Sequence, residues 1–526
     1  MYRRFLIASM AAVGICLPAA LPAAAADEEG FRPIFDGQAL DGWDGDPRFW
    51  RVEDGMIIGE STPDMRPPAN TYLIWRQGEV DDFELKLEYR LHNHNSGIQY
   101  RSWEHPERPW GMGGYQADIV DGPQFHGVFY EELGRGVIAQ RGLRMVIDED
   151  GERTADQFAD GDELYEKIHP EGEWNEYHII ARGHRFVQKI NGHTMVEVTD
   201  REREHFRRSG LIGVQLHAGQ PMRIDVRNVR LKRLPLEEEK KVVFVAGTPS
   251  HGYGNHEHNA GCLLLAELLN EHVPGVHAVV YQNGWPDDPT ALDNADTLVV
   301  FANGGGGHPM IPHLEAVQER VDEGMGVVML HFAVEVPKER GGQQLLDWIG
   351  GYFETHWSVN PFWTAEFTDF PDHPVANGLR PFSVYDEWYY HMRFQEDMEG
   401  VEPILTAVPP DSTRERPDGP HSNNPHVRAR RGMPEHVAWT YERDGGGRGF
   451  GFTGGHYHWT WAQDDFRKAV LNGIVWTAGL DIPEKGIVTP TPTMEELEAN
   501  QDYEQPDNFN RREWVERLQA WAAERE

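Results

Sequence analysis

Residues 326–335 read GVVMLHFAVE, a short apolar segment that His331 interrupts. A continuous run of Val, Met and Leu is typical of a strand that is buried on both faces. His331 stands where such a strand would emerge from its sheet. We therefore predict a buried strand that ends in a functional histidine.

Neighbouring segments repeat this pattern. Apolar runs alternate with stretches of helical spacing, in the order VVFVAG (242–247), AGCLLLAELLNEH (260–272), HAVVYQ (277–282), DTLVVFANG (296–304) and MIPHLEAVQERVDEG (310–324). Strands that are buried on both faces and alternate with helices predict an α/β domain with a doubly wound parallel sheet.

Several polar residues follow these predicted strands. His331, His251, His456 and Asn303 with the glycines of 304–307 each stand just after an apolar run. Ligands of a doubly wound sheet gather beyond the carboxyl ends of its strands. We expect these imidazoles to converge at that edge, with the glycine run as a flexible rim of the site.

Two interpretations of the histidines stay open. In the first, imidazoles bind a divalent ion such as Zn²⁺, with Glu387 as a carboxylate ligand. In the second, they form a polar sugar pocket in which His331 and His456 act as acid and base, and Asp386 and Glu387 bind substrate. The spacing lacks a helical H-E-x-x-H signature. The candidate metal ligands are His251, His256, His331 and His456; His258 and His458 fit a ligand role or a solvent-facing one.

The first half of the chain has a different pattern. DFELKLEYRLH at 82–92 alternates apolar and polar residues, and RFVQKINGHTMVEV at 185–198 reads as a hairpin with Asn191-Gly192 at its turn. Many short strands separated by turn signals predict a β-sandwich of the concanavalin-like jelly-roll type.

Composition and the chain ends suggest an exported protein of several domains. The 526 residues carry a formal net charge of −37, which disfavours binding to nucleic acid or anionic lipid.

The predicted segments are 1–26 (signal peptide), 27–234 (sandwich), 235–241 (charged linker), 242–482 (α/β domain) and 483–526 (tail with a short helix). We expect a periplasmic or secreted protein with no membrane insertion after cleavage. Only Cys262 would remain then, so no internal disulfide is expected.

Both halves also resemble known families. FRPIFDGQALDGW (31–43), HNHNSGIQYRS (92–102), GYQADIVDG (114–122), EWNEYHIIARG (173–183) and GLIGVQLHAG (210–219) resemble the 3-keto-disaccharide hydrolase domain family. HGYGNHEHNAG (251–261), DHPVANGL (372–379), DEWYY (386–390) and the stretch 454–479 resemble the ThuA-like, or trehalose-utilisation, domains. The second resemblance implies the flavodoxin-like fold of class I glutamine amidotransferases.

The resemblances imply a sugar substrate and suggest candidate residues in the sandwich. Beside a ketone at C3 the hydrogen on C2 is acidic, so a base can remove it while the C1 substituent leaves, and water can then add to the alkene. Simple hydrolysis through two carboxylates stays open. Candidate acids and bases of the sandwich are Glu88, Asp118 and His217; candidate substrate-binding residues are Arg90, Asn95, Ser96, Arg101, Gln116, Asp121 and Gln215.

We therefore predict an enzyme that cleaves 3-keto glycosides or disaccharides. No nicotinamide fingerprint is visible, so an upstream sugar 3-dehydrogenase would supply the oxidised sugar. The alternative is a non-catalytic carbohydrate-binding sandwich attached to a sugar-handling domain. Glutamine amidotransferase chemistry is not expected, because His331 stands where the catalytic thiolate would be needed and Cys262 reads as a buried helix residue.

Overall fold

The structure is a computed structural model that describes residues 28–525. The predicted signal peptide, 1–26, lies outside the described residues. The strands of the first half are β1 (Arg32–Pro33), β2 (Trp43–Asp44), β3 (Trp50–Glu53), β4 (Met56–Glu60), β5 (Thr71–Trp75), β6 (Phe83–Asn93), β7 (Asn95–Glu104), β8 (Met112–Val120), β9 (Phe129–Glu132), β10 (Gly136–Ala139), β11 (Leu143–Ile147), β12 (Arg153–Gln157), β13 (Asn175–Arg182), β14 (Arg185–Ile190), β15 (His193–Asp200), β16 (Leu211–Leu216) and β17 (Arg223–Arg233). The short helix α1 (Gly161–Tyr165) follows β12.

These strands form two sheets around one apolar core. The larger sheet has the order β12-β11-β15-β14-β13-β6-β17-β4-β3, with β1 on β17, and the smaller has the order β10-β9-β8-β7-β16-β5-β2. Neighbours are antiparallel except for β11 and β15. The predicted hairpin is confirmed, since Asn191 and Gly192 have φ of 50° and 78° between β14 and β15. The jelly-roll assignment of this mostly sheet domain stays a prediction.

The second half is an α/β domain. Its elements are β18 (Lys240–Ala246), α2 (His258–His272), β19 (Val276–Tyr281), β20 (Thr297–Phe301), α3 (Leu314–Asp322), β21 (Gly326–Leu330), α4 (Gln343–Ile349), β22 (Gly351–Tyr352), β23 (Phe362–Phe367), β24 (Phe382–Glu387), β25 (Arg393–Phe394), β26 (Val401–Ala407), α5 (Pro425–Ala429), β27 (Glu435–Glu442), β28 (Arg448–Phe452) and α6 (Asp464–Thr477). Strand β18 begins inside 235–241, the segment that we predicted as a linker.

The main sheet has the order β19-β18-β20-β21-β28-β27-β26. Strands β19, β18, β20, β21 and β28 pair in parallel, whereas β27 is antiparallel to both of its neighbours, β28 and β26. Helices α2 and α6 pack on one face, and α3 and α4 pack on the other. The expected parallel sheet therefore holds for five of the seven strands, and the doubly wound assignment stays a prediction.

The chain end packs against the α/β domain. Helices α7 (Met494–Glu498) and α8 (Arg511–Arg525) form this tail. The Trp514 ring lies 5.8 Å from the ring of Trp459, and the Phe509 ring lies 5.0 Å from that of Tyr253. Among residues 28–525, no helix combines the length and apolar character needed to cross a membrane.

A buried ion network connects the two domains. Asp81, which precedes β6, lies 2.6 Å from Lys241 Nζ and 3.5 Å from Arg233 NH1. Arg233 NH2 continues to Asp288 at 2.7 Å. Burial alone would raise the pKa of Asp81, but the charges of Lys241 and Arg233 outweigh it and hold that pKa well below its ordinary value.

We expect Asp81→Asn to lower the free energy of unfolding by about 3 kcal/mol at pH 7, because two buried cations lose a counter-charge. The unfolded state binds more protons than the folded state as pH falls below about 4, so the deficit should shrink in acid. Urea unfolding from pH 7 to pH 3 measures both effects. The exposed Asp64→Asn is the control, and a deficit that is absent or independent of pH would contradict this account.

Candidate functional site

Four side chains from separate parts of the α/β domain meet at the carboxyl edge of its sheet. They are His256, His331, Glu387 and His456, whose ligating atoms all lie within 4.8 Å of one another. His331 directly follows β21, and His456 follows the adjacent parallel strand β28, so the sheet brings both to one edge. Glu387 ends β24, and His256 lies in the loop before α2.

Four of the six separations within this cluster are close to those between neighbouring ligands of a bound ion, and all six are within 4.8 Å. His256 Nε2 lies 2.9 Å from His456 Nδ1 and 3.1 Å from His331 Nε2. Glu387 Oε2 lies 3.1 Å from His456 Nδ1 and 3.6 Å from His331 Nε2. Ligands at 2.0–2.1 Å from a tetrahedral Zn²⁺ would be about 3.3 Å apart, and imidazole nitrogens and carboxylate oxygens are both zinc ligands in proteins.

Protonation states point the same way. His331 Nδ1 lies 2.8 Å from the carbonyl oxygen of Thr453 and donates its N–H there, which leaves the lone pair of Nε2 facing the cluster. His256 Nδ1 is buried and has no hydrogen-bond partner among residues 28–525. Burial and the neighbouring imidazoles lower the pKa of both histidines, so both are neutral, which is the form that binds metal ions.

The backbone is strained at the same place. His331, His256 and His251 have φ values of 52°, 48° and 67°, in the left-handed region that residues with a Cβ seldom adopt. Each such residue costs on the order of 1 kcal/mol, and strain of this kind concentrates at functional sites. The turn at His331, between β21 and a short 3₁₀ helix, aims its side chain into the cluster.

Asp386 lies behind the cluster. It is fully buried, and its carboxylate accepts the backbone N–H groups of Gly455 at 2.8 Å and His456 at 3.2 Å. Burial raises the pKa of Asp386 to about 6. Our prediction that Asp386 binds substrate does not fit this placement, since its oxygens are used to position the loop that carries His456.

The other predicted imidazoles surround the cluster. The exposed His251 stacks on His256 with ring centroids 3.8 Å apart, but it is not one of the four converging groups. Its neighbour Ser250 donates to Asn303 Oδ1 at 2.6 Å, so Asn303 supports the same loop. His258 and His458 are both buried, which excludes the solvent-facing role that we left open.

The tail holds the loop that carries His256. Gln501 Oε1 accepts the backbone N–H of Gly254 at 3.0 Å, and the backbone N–H of Asp502 donates to Glu257 Oε2 at 3.0 Å. These bonds flank His256 on both sides in sequence. The chain end is therefore part of the scaffold of this site.

Three residues that we did not single out complete the surroundings. Tyr389 OH lies 3.3 Å from His331 Nε2 and 3.4 Å from Glu387 Oε2. Glu335 accepts a 2.9 Å bond from His421, and this contact raises the pKa of His421. Tyr389 belongs to DEWYY and Glu335 to GVVMLHFAVE, so both could have been selected from segments already quoted. His421 lies in a loop that has no recognisable motif.

Cys262 takes no part in the site. It is fully buried in α2, and burial raises the pKa of its thiol. The strained turn carries His331 in place of a thiolate. The expectation that the protein lacks glutamine amidotransferase chemistry stays a prediction.

The sandwich has its own polar cluster on one face of the smaller sheet. Gln116 Nε2 donates to Asp118 Oδ1 at 2.8 Å, and Gln215 Nε2 donates to Gln116 Oε1 at 3.1 Å and to Tyr72 OH at 2.9 Å. All four are nearly buried, and burial raises the pKa of Asp118 to about 7. Gln215 Oε1 has no hydrogen-bond partner within the described range 28–525, so this polar cluster keeps one free acceptor.

His217 lies two residues beyond Gln215, on the same face. Its Nδ1 donates to the carbonyl of Ala218 at 2.6 Å, so Nε2 carries the lone pair. Burial lowers the pKa of His217, which keeps it neutral near pH 7. The ring of His94 lies edge-on at 4.9 Å, and the charge of Glu132 acts on both His217 and Asp118. Sequence reasoning missed His94 and Glu132.

Three predicted site residues lie elsewhere. Glu88 and Arg90 are on the larger sheet, where Glu88 pairs with Arg227 at 2.6 Å and Arg90 pairs with Asp225 at 2.6 Å. Arg101 is fully buried in an ion pair with Asp82 at 2.8 Å. The expectation that these three join Asp118 and His217 is therefore not met. Their charges are used in structural ion pairs.

The remaining predicted residues border the cluster. Ser96 donates to the backbone oxygen of Gln215 at 2.7 Å. Its hydroxyl therefore holds the strand that carries Gln215 and is not free to bind a ligand as a donor. Asn95 begins β7, and its buried Oδ1 has no partner in the described part of the chain. Asp121 lies in the turn after β8, where its backbone N–H donates to the carbonyl of His94 at 2.9 Å.

One of these two clusters lies on the sandwich and the other at the edge of the α/β sheet. Residues 30–232 match the family described as 3-keto-alpha-glucoside-1,2-lyase-like domain, and residues 241–477 match the family described as Trehalose utilisation (ThuA). Both predicted resemblances are confirmed, in the predicted order.

Comparisons with other proteins give more distant similarities. No curated protein matches the chain significantly. A candidate glycosyl hydrolase from Parabacteroides distasonis is 19% identical over 39% of this chain and 94% of its own, with a TM-score of 0.27. A candidate ThuA-like protein from Parabacteroides merdae is 18% identical over 48% and 98%, with a TM-score of 0.32. The carbohydrate binding module CBM66 from Bacillus subtilis is 12% identical over 36% and 95%, with a TM-score of 0.25.

Proposed function

We propose that this protein is an exported enzyme that cleaves 3-keto glycosides or disaccharides, with a divalent metal site in its ThuA-like domain. One observation carries the metal site: the ligating atoms of three imidazoles and a carboxylate lie within 4.8 Å of one another. The two family matches supply the sugar class.

His256, His331, His456 and Glu387 would hold the ion. A divalent ion bound there would supply Lewis acidity toward a sugar oxygen. The rest of the cluster has separate roles. Asp386 fixes the His456 loop, Tyr389 offers a hydroxyl beside His331, and His421 holds a proton more tightly than an ordinary histidine because Glu335 accepts its N–H.

The sandwich cluster fits proton abstraction beside a ketone. His217 Nε2, with a free lone pair, would take the C2 proton, and the electrons of that bond would form an enolate at the C3 oxygen. Collapse of the enolate would restore the C3 carbonyl and form the C1–C2 double bond as the C1–O bond breaks. Asp118, with its pKa raised to about 7, would give a proton to the leaving oxygen. Gln215 and Gln116 would bind hydroxyls, and water would then add across the C1–C2 double bond.

The alternative is a sandwich that binds sugar without cleaving it. The near-complete burial of Gln116, Asp118 and Gln215 favours it, because these side chains already bond to one another. Cleavage of a 3-keto sugar would in addition require an upstream oxidoreductase that supplies the oxidised sugar.

Incubation with 3-keto-trehalose and with trehalose separates these functions. We expect turnover of the keto sugar only, since an unoxidised sugar lacks an acidic C2 hydrogen, with a glycal-type ketone or its hydrate as product by mass spectrometry. Binding of the keto sugar without turnover would support the binding module. Equal turnover of both sugars would contradict the elimination route and support simple hydrolysis.

A further inference from the structure

The hairpin β23–β24 presents an unexplained surface beside the metal cluster. Its residues pair as Phe362 with Glu387, Thr364 with Tyr385 and Glu366 with Ser383. Directly opposed residues of an antiparallel pair share one face. One face of the hairpin therefore begins at the cluster with Glu387 and continues outward through the other five residues, which we call the hairpin strip.

The strip is aromatic near the cluster. Phe362 and Tyr385 are 40% and 44% exposed, and their rings are neighbours, so they form one exposed aromatic patch. The Phe362 ring lies 4.8 Å from the ring of His456. The rings of Phe362 and Tyr385 are 6.2 Å apart and nearly parallel, with an angle of 26° between their planes. Tyr457 extends this surface, 6.3 Å from Tyr385 at 23°.

The strip is polar farther out. Thr364, Glu366 and Ser383 are exposed and offer hydroxyl and carboxylate groups on the same face. Same-face residues of one strand are about 7 Å apart, so the strip extends about 14 Å from Phe362 to Glu366. Aromatic faces followed by hydrogen-bonding groups suit a ligand with apolar C–H faces and hydroxyl edges, at the length of two linked sugar rings.

We propose that the hairpin strip binds a two-ring sugar, with one pyranose ring stacked on Phe362 and Tyr385 beside the metal cluster, within reach of Thr364, and the second ring hydrogen-bonded to Glu366 and Ser383. This inference rests on the proposed sugar function and adds to it the binding surface and the number of rings. Neither the four converging ligands nor the sandwich cluster includes the strip.

Nitration with tetranitromethane reports on this surface at single residues. The probe is 3-keto-trehalose, used with the full chain carrying His217→Ala so that the sandwich does not consume it. We expect the probe to slow nitration of Tyr385 about fivefold or more while nitration of Tyr503, a tyrosine of similar exposure at 39%, is unchanged. Peptide mass spectrometry measures both rates, and sorbitol is the control for a polyol without a ring.

Substitutions test the two halves of the strip. Phe362→Ala should raise the probe concentration for half-protection of Tyr385 about tenfold, as expected for a lost aromatic contact. Glu366→Gln and Ser383→Ala should weaken protection by 3-keto-trehalose and leave protection by methyl 3-keto-α-glucoside, a one-ring sugar, unchanged. Val408→Ala, at a side chain that is 54% exposed elsewhere in the domain, should change neither.

Two outcomes would overturn the inference. Equal responses of Tyr385 and Tyr503 to the probe would show that the strip does not bind it, and equal effects of Glu366→Gln on the one-ring and two-ring sugars would show that no second ring is bound. Turnover and metal content of the chain with His217 intact are measured separately. The proposed function therefore stands or fails on its own data.

Discussion

His331→Ala is expected to abolish tight binding of a divalent ion by the ThuA-like domain. Nε2 of His331 faces His256 Nε2 at 3.1 Å and Glu387 Oε2 at 3.6 Å, so its loss opens one side of the cluster. Loss of a supporting contact alone typically costs 10- to 100-fold in metal affinity, and loss of a direct ligand should cost at least about 100-fold. Titration with Co²⁺, followed by its visible absorption, measures this change.

The matched control is His313→Ala. His313 belongs to the same domain but stacks on Trp285, with ring centroids 4.6 Å apart, and it is not among the converging ligands. Its removal should leave the Co²⁺ spectrum and affinity unchanged. Equal loss of Co²⁺ binding in both variants, or in neither, would contradict the assigned site.

His217→Ala is expected to lower kcat/KM for a 3-keto disaccharide by about 10²- to 10⁴-fold, the range of general-base catalysis. Because burial lowers the pKa of His217, activity of the wild type should fall in acid only as pH passes below the ordinary histidine range. Circular dichroism checks that the fold is retained.

The variant Glu88→Gln tests whether Glu88 is a catalytic base, as its sequence pattern suggested, or a structural residue, as its position in the fold indicates. Both Glu88 and His217 were candidate bases by pattern, but Glu88 lies on the other sheet in a pair with Arg227. We expect its substitution to leave kcat/KM within about twofold. If Glu88→Gln abolished turnover and His217→Ala did not, the sandwich cluster would not be the reacting site.

Much of the α/β site could be predicted from the sequence, because the apolar runs show where each parallel strand ends and which residue follows it. GVVMLHFAVE predicted a strand that ends at His331, and parallel register then brings His331 and His456 to one edge. The hairpin that supplies Glu387 and the tail that holds His256 were not foreseeable in the same way. Both contacts depend on loop packing between residues that are far apart in sequence.

In the sandwich, alternation predicted strands and core faces but not which outward face matters. The polar face of β6, with Glu88 and Arg90, reads like that of β8, with Gln116 and Asp118. Only strand order shows that the first belongs to the larger sheet and the second to the smaller one. The role of Arg101 could not be predicted for a related reason. Its side chain forms a buried ion pair with Asp82, which precedes a strand of the other sheet.

Anomalous X-ray scattering from crystals of the untagged full chain tests the central claim most directly. We expect one strong peak at a transition-metal edge, within bonding distance of His256 Nε2, His331 Nε2, His456 Nδ1 and Glu387 Oε2. The absence of a peak there, in crystals equilibrated with Zn²⁺, would contradict the account and leave the four side chains as a hydrogen-bonded polar pocket.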